Sequence, residues 1–253
     1  LDDLFRGGLH PERDERDLVH ERAQLRVLPA LFLRTFARRL ATTATASAAV
    51  LAVQLRRVVL DLQHLASVEC LPPGQRVTTD FPVLDLGLQP NISQAEWGLS
   101  VGGQVANPLK WDWDTFMSQR QISYINDIHC VTTWSRYDNA WEGVATRAIL
   151  EQVKPLPSAK VLMVKSYDGY STNIPLADVD RDDVFIAHTW QGKPLERAHG
   201  GPARLVVPHL YFWKSAKWIR HITFLDRDQP GYWEARGYHM RGDPWKEERF
   251  SGE

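Results

Sequence analysis

Cysteine is nearly absent from this chain: two occur in 253 residues, Cys70 and Cys130. Two thiols cannot build the bridged framework of a small secreted domain, so both read as reduced. An excess of either charge is also missing. Lys and Arg number 30 against 31 Asp and Glu, a net charge of −1, and nucleic acid is therefore not an expected partner. No run approaches the roughly 20 apolar residues of a membrane span. No G-x-G-x-x-G or P-loop pattern occurs, so a nucleotide-binding fold has no support. His188, His209, His221 and His239 lack the paired spacing of a zinc site. Internal repeats are absent too. Residues 1–70 contain no Trp, Tyr or Lys; all ten Trp, all seven Tyr and every Lys follow Glu96.

That compositional break divides the chain. Residues 28–53 are apolar and rich in Ala and Thr, and Leu51, Leu55, Val58, Val59 and Leu62 fit helical spacing. Residues 1–70 are expected to be a helical or disordered appendage. Their Arg-rich, Ala/Ser/Thr-rich composition resembles a targeting segment. Arg38-Arg39 ahead of residues 40–53 is similar to a weak twin-arginine export signal. A cytoplasmic location is the expectation, with periplasmic export as the alternative. Leu71-Pro72-Pro73-Gly74-Gln75 is strong punctuation and marks the start of a domain at 71–253.

Within that domain the pattern predicts strands at 97–101, 121–128, 161–164, 184–187, 205–207 and 218–225. Gly102-Gly103 and Asp168-Gly169 read as turns, and Gln191-Gly192-Lys193 as a hairpin tip. A short helix capped by Asp112 or Asp114 is expected through Met117. A second spans 144–153 and ends at Lys154-Pro155. Many short strands with few short helices define an α+β domain of mixed sheets. Ten Trp suggest either a pocket for a large flat ligand or an aromatic core.

The stretch Asn126-Asp127-Ile128-His129-Cys130 ends the strand at 121–128. Cys130 is therefore either a core residue, the usual place of a free thiol, or a ligand-facing one. Neighbours on a strand point to opposite faces, so His129 is badly placed to act as the base of a Cys-His hydrolase. Asp178, Asp180, Asp182 and Asp183 lack the glycine and final glutamate of a calcium loop and read as a solvated face. A second stretch begins Ala198-His199-Gly200-Gly201-Pro202-Ala203-Arg204 and continues to Trp213-Lys214-Ser215-Ala216-Lys217-Trp218. Its glycines and proline hold backbone amides where an anion can meet them. Arg204, Lys214 and Lys217 bring three cations to the same span. A solvated basic loop is the alternative.

Together these stretches resemble the molybdopterin-binding domain of the sulfite oxidase family. The likeness lies in Cys130 after a strand, His-Gly-x-Pro-x-Arg at 199–204 and Ser-x-Lys-Trp at 215–218. Phe81-Pro82-Val83 and Gly242-Asp243-Pro244-Trp245 are similar to the family's short bacterial oxidoreductases. The resemblance spans roughly 71–250.

It implies a molybdenum-molybdopterin cofactor with Cys130 as the metal ligand. A thiolate is the soft anionic donor that such a metal takes from protein. Arg204, Ser215 and Lys217 would hold the phosphate or pyran end. His199, the backbone near Ala216, Ser166 and Thr79, Asp80 and Phe81 would line the rest. Arg136 is expected at the rim, where it attracts an anionic substrate or forms a surface ion pair. The implied activity is oxygen-atom transfer with a small oxo substrate and an unidentified electron donor or acceptor. The family's immunoglobulin-like dimerisation domain and haem domain have no room in the chain, so a monomer is expected. Val131-Thr132-Thr133-Trp134-Ser135 is more similar to the bacterial protein-methionine-sulfoxide reductase catalytic subunit, with Thr132 in place of its glutamate. Sulfite oxidation and sulfoxide reduction are both open. The reading from a different class is a non-catalytic pterin- or anion-binding protein of the same fold.

Overall fold

The computed structural model describes residues 71–252, part of one compact unit, Cys70–Glu253. The expectations for residues 1–70, including the appendage, the arginine pair and Cys70, lie outside the described residues.

Gln121–His129 (β4) and Trp134–Ala145 (β5) form an antiparallel hairpin, with His129 opposite Ser135. Cys130 is the first residue beyond β4, at the tip of that hairpin. β5 was not legible in the pattern, because Arg136, Asp138, Asn139 and Glu142 break its apolar alternation. It is nevertheless the central strand of the first sheet. Arg76–Val77 (β1) pairs with its start, and Phe185–Trp190 (β8) with its end. β8 also pairs with Lys193–Pro194 (β9) and Arg204–Val206 (β10). Gly143 sits at the β5–β8 bulge, where an added Cβ would strike the backbone of Ile186 and Ala187.

The second sheet runs Leu109–Asp112 (β3), Gly98–Gly103 (β2), Ile219–Leu225 (β11), Val161–Ser166 (β6), Ser171–Pro175 (β7). Only the β2–β11 pairing in it is parallel. Gly102-Gly103, expected as a turn, continue β2.

Three short α-helices occur among the described residues. Trp113–Ser118 (α1) starts where the Asp112 carboxylate accepts from the Thr115 N–H at 2.8 Å. Thr146–Val153 (α2) ends on Lys154 in the left-handed conformation. Val144, expected in that helix, belongs to β5. Leu176–Val179 (α3) is a single turn. The α+β class with mixed sheets and short helices is thus the observed one.

The larger apolar core gathers Trp97, Leu99, Phe116, Ile149, Ile174, Ile186 and Phe224. A smaller cluster holds Ile128, Cys130, Trp134, Trp141, Phe185 and Phe212, with Phe81 packed against it. The tryptophans therefore serve both as core and as cavity wall, apart from Trp245, which is exposed.

Candidate cofactor site

The hairpin tip is tied from several directions. Cys130 N–H donates to Trp134 O at 2.8 Å, and Thr133 N–H donates to Cys130 O at 3.1 Å. Thr133 closes the turn at φ 72°. Gln75 Nε2 donates to Cys130 O at 3.0 Å. The Arg249 guanidinium, from the far end of the chain, donates to Val131 O. Cys130 Sγ lies 3.1 Å from the Thr132 hydroxyl. His129 turns the other way and shares a 2.8 Å hydrogen bond with Ser135, as strand alternation requires. Burial holds the Cys130 thiol above its ordinary range, although Thr132 and the charge of Arg249 oppose that effect.

Cys130 opens into a cavity of about 350 Å³. Phe81, Val131, Thr132, Trp134, Trp213 and Tyr238 form part of its wall, and His199, Arg204, Ser215 and Lys217 another part. The His199 ring lies flat on Phe81, with centroids 4.1 Å apart and an interplanar angle of 10°. Gly200, at φ 101°, lets the following loop press onto Lys217, where a Cβ would sit 2.9 Å from Lys217 Cβ.

Arg204 is buried, 2% exposed. Its Nη1 donates to His199 O at 2.9 Å and its Nη2 to Ser215 O at 2.7 Å. The guanidinium rests 4.3 Å above the Phe212 ring. Burial draws its pKa down to about 9, with no nearby carboxylate among the described residues to offset it. Lys217 Nζ donates to Ala198 O at 2.8 Å. Burial and the Arg204 charge lower it to about 8, against Asp85 and Asp168. The Ser215 hydroxyl accepts from Val207 N–H at 2.9 Å.

Several expected site residues lie elsewhere. Arg136 does not line the cavity. Its Nε donates to Thr79 O at 3.2 Å, its Nη1 to Asn139, and its guanidinium covers Trp190 at 4.8 Å. Thr79 and Asp80 are exposed, and neither lines the cavity. Ala216 is in the larger core, its carbonyl accepting from Leu205 N–H at 2.9 Å. Ser166 is buried at the end of β6, its hydroxyl without a hydrogen-bond partner, and it too is outside the cavity wall. Lys214, grouped with Arg204 and Lys217 by sequence proximity, points into the protein. It is fully buried and donates to Glu234 at 2.6 Å and to both oxygens of Asn173 at 2.8 Å. The acidic run is not wholly a solvated face either. Asp178 and Asp183 are buried, Asp178 paired with His209 and Arg241, and Asp183 with Arg181.

Sequence reasoning missed Tyr238 and Trp233, which close the cavity from the tail and stack on each other at 5.0 Å. Burial raises the Tyr238 phenol, and the charge of Cys130 raises it further. Nothing local in the tail indicates that it returns to the hairpin tip.

Such a site combines one soft sulfur donor, aromatic walls and a buried cation, Arg204, without a counter-ion among the described residues. That combination suits an anionic, flat cofactor. Among the described residues no group of three or more His, Cys, Asp or Glu side chains is placed to hold a metal ion. A metal here would take its other donors from the cofactor itself, and the donor set fits that arrangement. The Trp134 indole N–H is buried in the wall without a partner, a further donor available to a polar ligand.

Residues 86–233 match the oxidoreductase molybdopterin binding domain. The chain belongs to that family, and is a molybdopterin-binding oxidoreductase domain related to sulfite-oxidase-like proteins and protein-methionine-sulfoxide reductases. It is 44% identical over 182 residues to an uncharacterised oxidoreductase of Bacillus subtilis, YuiH, covering 72% of this chain and 92% of that one. It is 26% identical over 192 residues to the protein-methionine-sulfoxide reductase catalytic subunit MsrP of Ralstonia nicotianae, covering 66% of this chain and 58% of that one. The sulfane dehydrogenase SoxCD of Paracoccus pantotrophus shares the fold, with a TM-score of 0.51 at 22% identity, over 55% of this chain and 40% of that one. No helix among the described residues is long and apolar enough to cross a membrane.

Proposed function

We propose that this protein is a molybdenum-molybdopterin oxidoreductase that moves an oxygen atom to or from a small sulfur substrate. The observation that carries the reading is the pairing of Cys130 with Arg204 and Lys217 in the wall of one cavity. When bound, the cofactor supplies a two-electron metal centre able to exchange an oxygen atom with substrate. The chain's residues do the rest. Cys130 is the protein's metal ligand. Arg204 and Lys217 hold the anionic end of the pterin. Phe81, His199 and Trp134 flank its flat part. The exchanged electrons pass to or from a separate, unidentified partner.

The substrate side favours a neutral sulfoxide or thioether over sulfite. The cavity wall includes the apolar Leu84, Leu86, Val131 and Trp134, with the neutral Thr132 hydroxyl 3.1 Å from the sulfur. Arg136, the cation expected to draw an oxyanion, is engaged by Thr79 O and Asn139. The nearby Arg249 is bonded to Val131 O.

The test is elemental analysis and absorption spectroscopy of protein expressed in a host that makes molybdopterin. Near-stoichiometric molybdenum, with a sulfur-to-metal band lost in Cys130→Ser, is expected. Turnover of methionine sulfoxide but not of sulfite would follow. Cofactor binding without turnover of either substrate would favour the non-catalytic binding reading. Protein that carries no molybdenum from a competent host would sink the proposal.

A further inference from the structure

The turn that carries Cys130 does more than present a sulfur. Thr132 follows two residues later, and the fold brings its hydroxyl back to 3.1 Å from Sγ. Three contacts fix that return: Gln75 on Cys130 O, Thr133 N–H on Cys130 O, and Arg249 on Val131 O. The Thr132 side chain lines the cavity, so the contact lies on the face where the sulfur meets its ligand.

We infer that Thr132 is a positioning residue that donates a hydrogen bond to the ligated sulfur of Cys130 and sets the reduction potential of the metal it binds. The inference rests on the reading of Cys130 as the molybdenum ligand. A hydroxyl and a thiol can each donate to the other. A metal-bound thiolate has no proton, so the Thr132 hydroxyl must be the donor. A donor at sulfur withdraws electron density and weakens the sulfur's donation to the metal. That favours the more reduced metal and raises its potential, as hydrogen bonds to ligating sulfur do elsewhere. The Arg249 charge acts on the same sulfur in the same sense.

The experiment compares holoprotein of the wild type, Thr132→Val, Thr132→Ser and Cys130→Ser. Each is assayed for molybdenum, for the sulfur-to-metal absorption band, and for the midpoint of a one-electron molybdenum couple by redox titration with paramagnetic resonance. Thr132→Val is expected to hold wild-type molybdenum and to show a shifted band. Its midpoint should fall by about 59 mV, a tenfold change in a one-electron equilibrium. Thr132→Ser, which keeps the hydroxyl, should restore both readouts. A loaded Thr132→Val with wild-type band and midpoint overturns the inference alone. A wild type without molybdenum, or a band that survives in Cys130→Ser, overturns the ligand reading and the inference with it.

Discussion

Phe81 and His199 lie ring on ring, 10° from parallel and 4.1 Å apart. Two segments 118 positions apart in the chain thereby meet at the cavity wall. Phe81 also touches Trp134, Trp141, Trp190 and Phe212. Phe81→Leu keeps apolar bulk and removes the stack, a loss of about 1 kcal/mol. The expected result is a stable protein that releases its cofactor several-fold faster on dialysis. Molybdenum retention over time checks this, with thermal melting as the control.

Lys217 gives the site a pH dependence. Burial and Arg204 hold its pKa near 8 before the anion binds. A bound anion raises that value, because it favours the charged amine. Affinity for the cofactor is therefore full below the lower pKa and declines as pH rises from about 8 through the higher one. Loading of cofactor-free protein across alkaline pH should show this decline. In Lys217→Arg the decline should begin at higher pH, toward the value of about 9 that burial gives Arg204.

Lys214 and Glu234 form a fully buried ion pair at 2.6 Å. Glu234 also accepts from the Thr172 hydroxyl and the Trp213 indole, each at 2.9 Å. Lys214→Met should destabilise the protein by about 3–5 kcal/mol, because it leaves a buried carboxylate unpaired. The double variant Lys214→Met, Glu234→Gln should recover part of that loss. Urea denaturation measures both.

Asp178 joins α3 to the tail. Burial alone would raise its pKa, but hydrogen bonds and charge from His209 and Arg241 hold it well below the carboxylate range. A depressed folded pKa means stability that is present above the unfolded value of about 3.9 and lost as pH falls below it. Asp178→Asn should therefore be less stable than the wild type at neutral pH. The gap should narrow as the solution is acidified past about pH 4. Denaturation at a series of pH values tests the sign.

What could be read from the sequence was local. Cys130 stands where β4 ends, and two glycines shape the loop between His199 and Arg204, because strand alternation and backbone freedom are properties of neighbours. Pairings across the chain were not legible. Nothing near Arg136 indicates that Thr79 O, 57 positions earlier, will claim it. Lys214 and Lys217 differ by three positions, yet one enters the core and the other the cavity, since Lys214 ends a 3-10 turn at Phe212–Lys214 and the chain leaves it at Ser215 in a non-helical conformation. β5 was hidden by polar residues whose partners are tertiary: Asn139, fully buried, donates to Asn126 O and Arg136 O.

Arg249 holds the hairpin tip by Val131 O, and Tyr238 closes the same cavity. During synthesis the hairpin and the Arg204 loop leave the ribosome well before this last wall exists. A cofactor meeting the nascent chain would find an open trough with no strap across it. On the proposed function, a cofactor would therefore be held firmly only once residue 249 has been made and has folded back onto the hairpin tip.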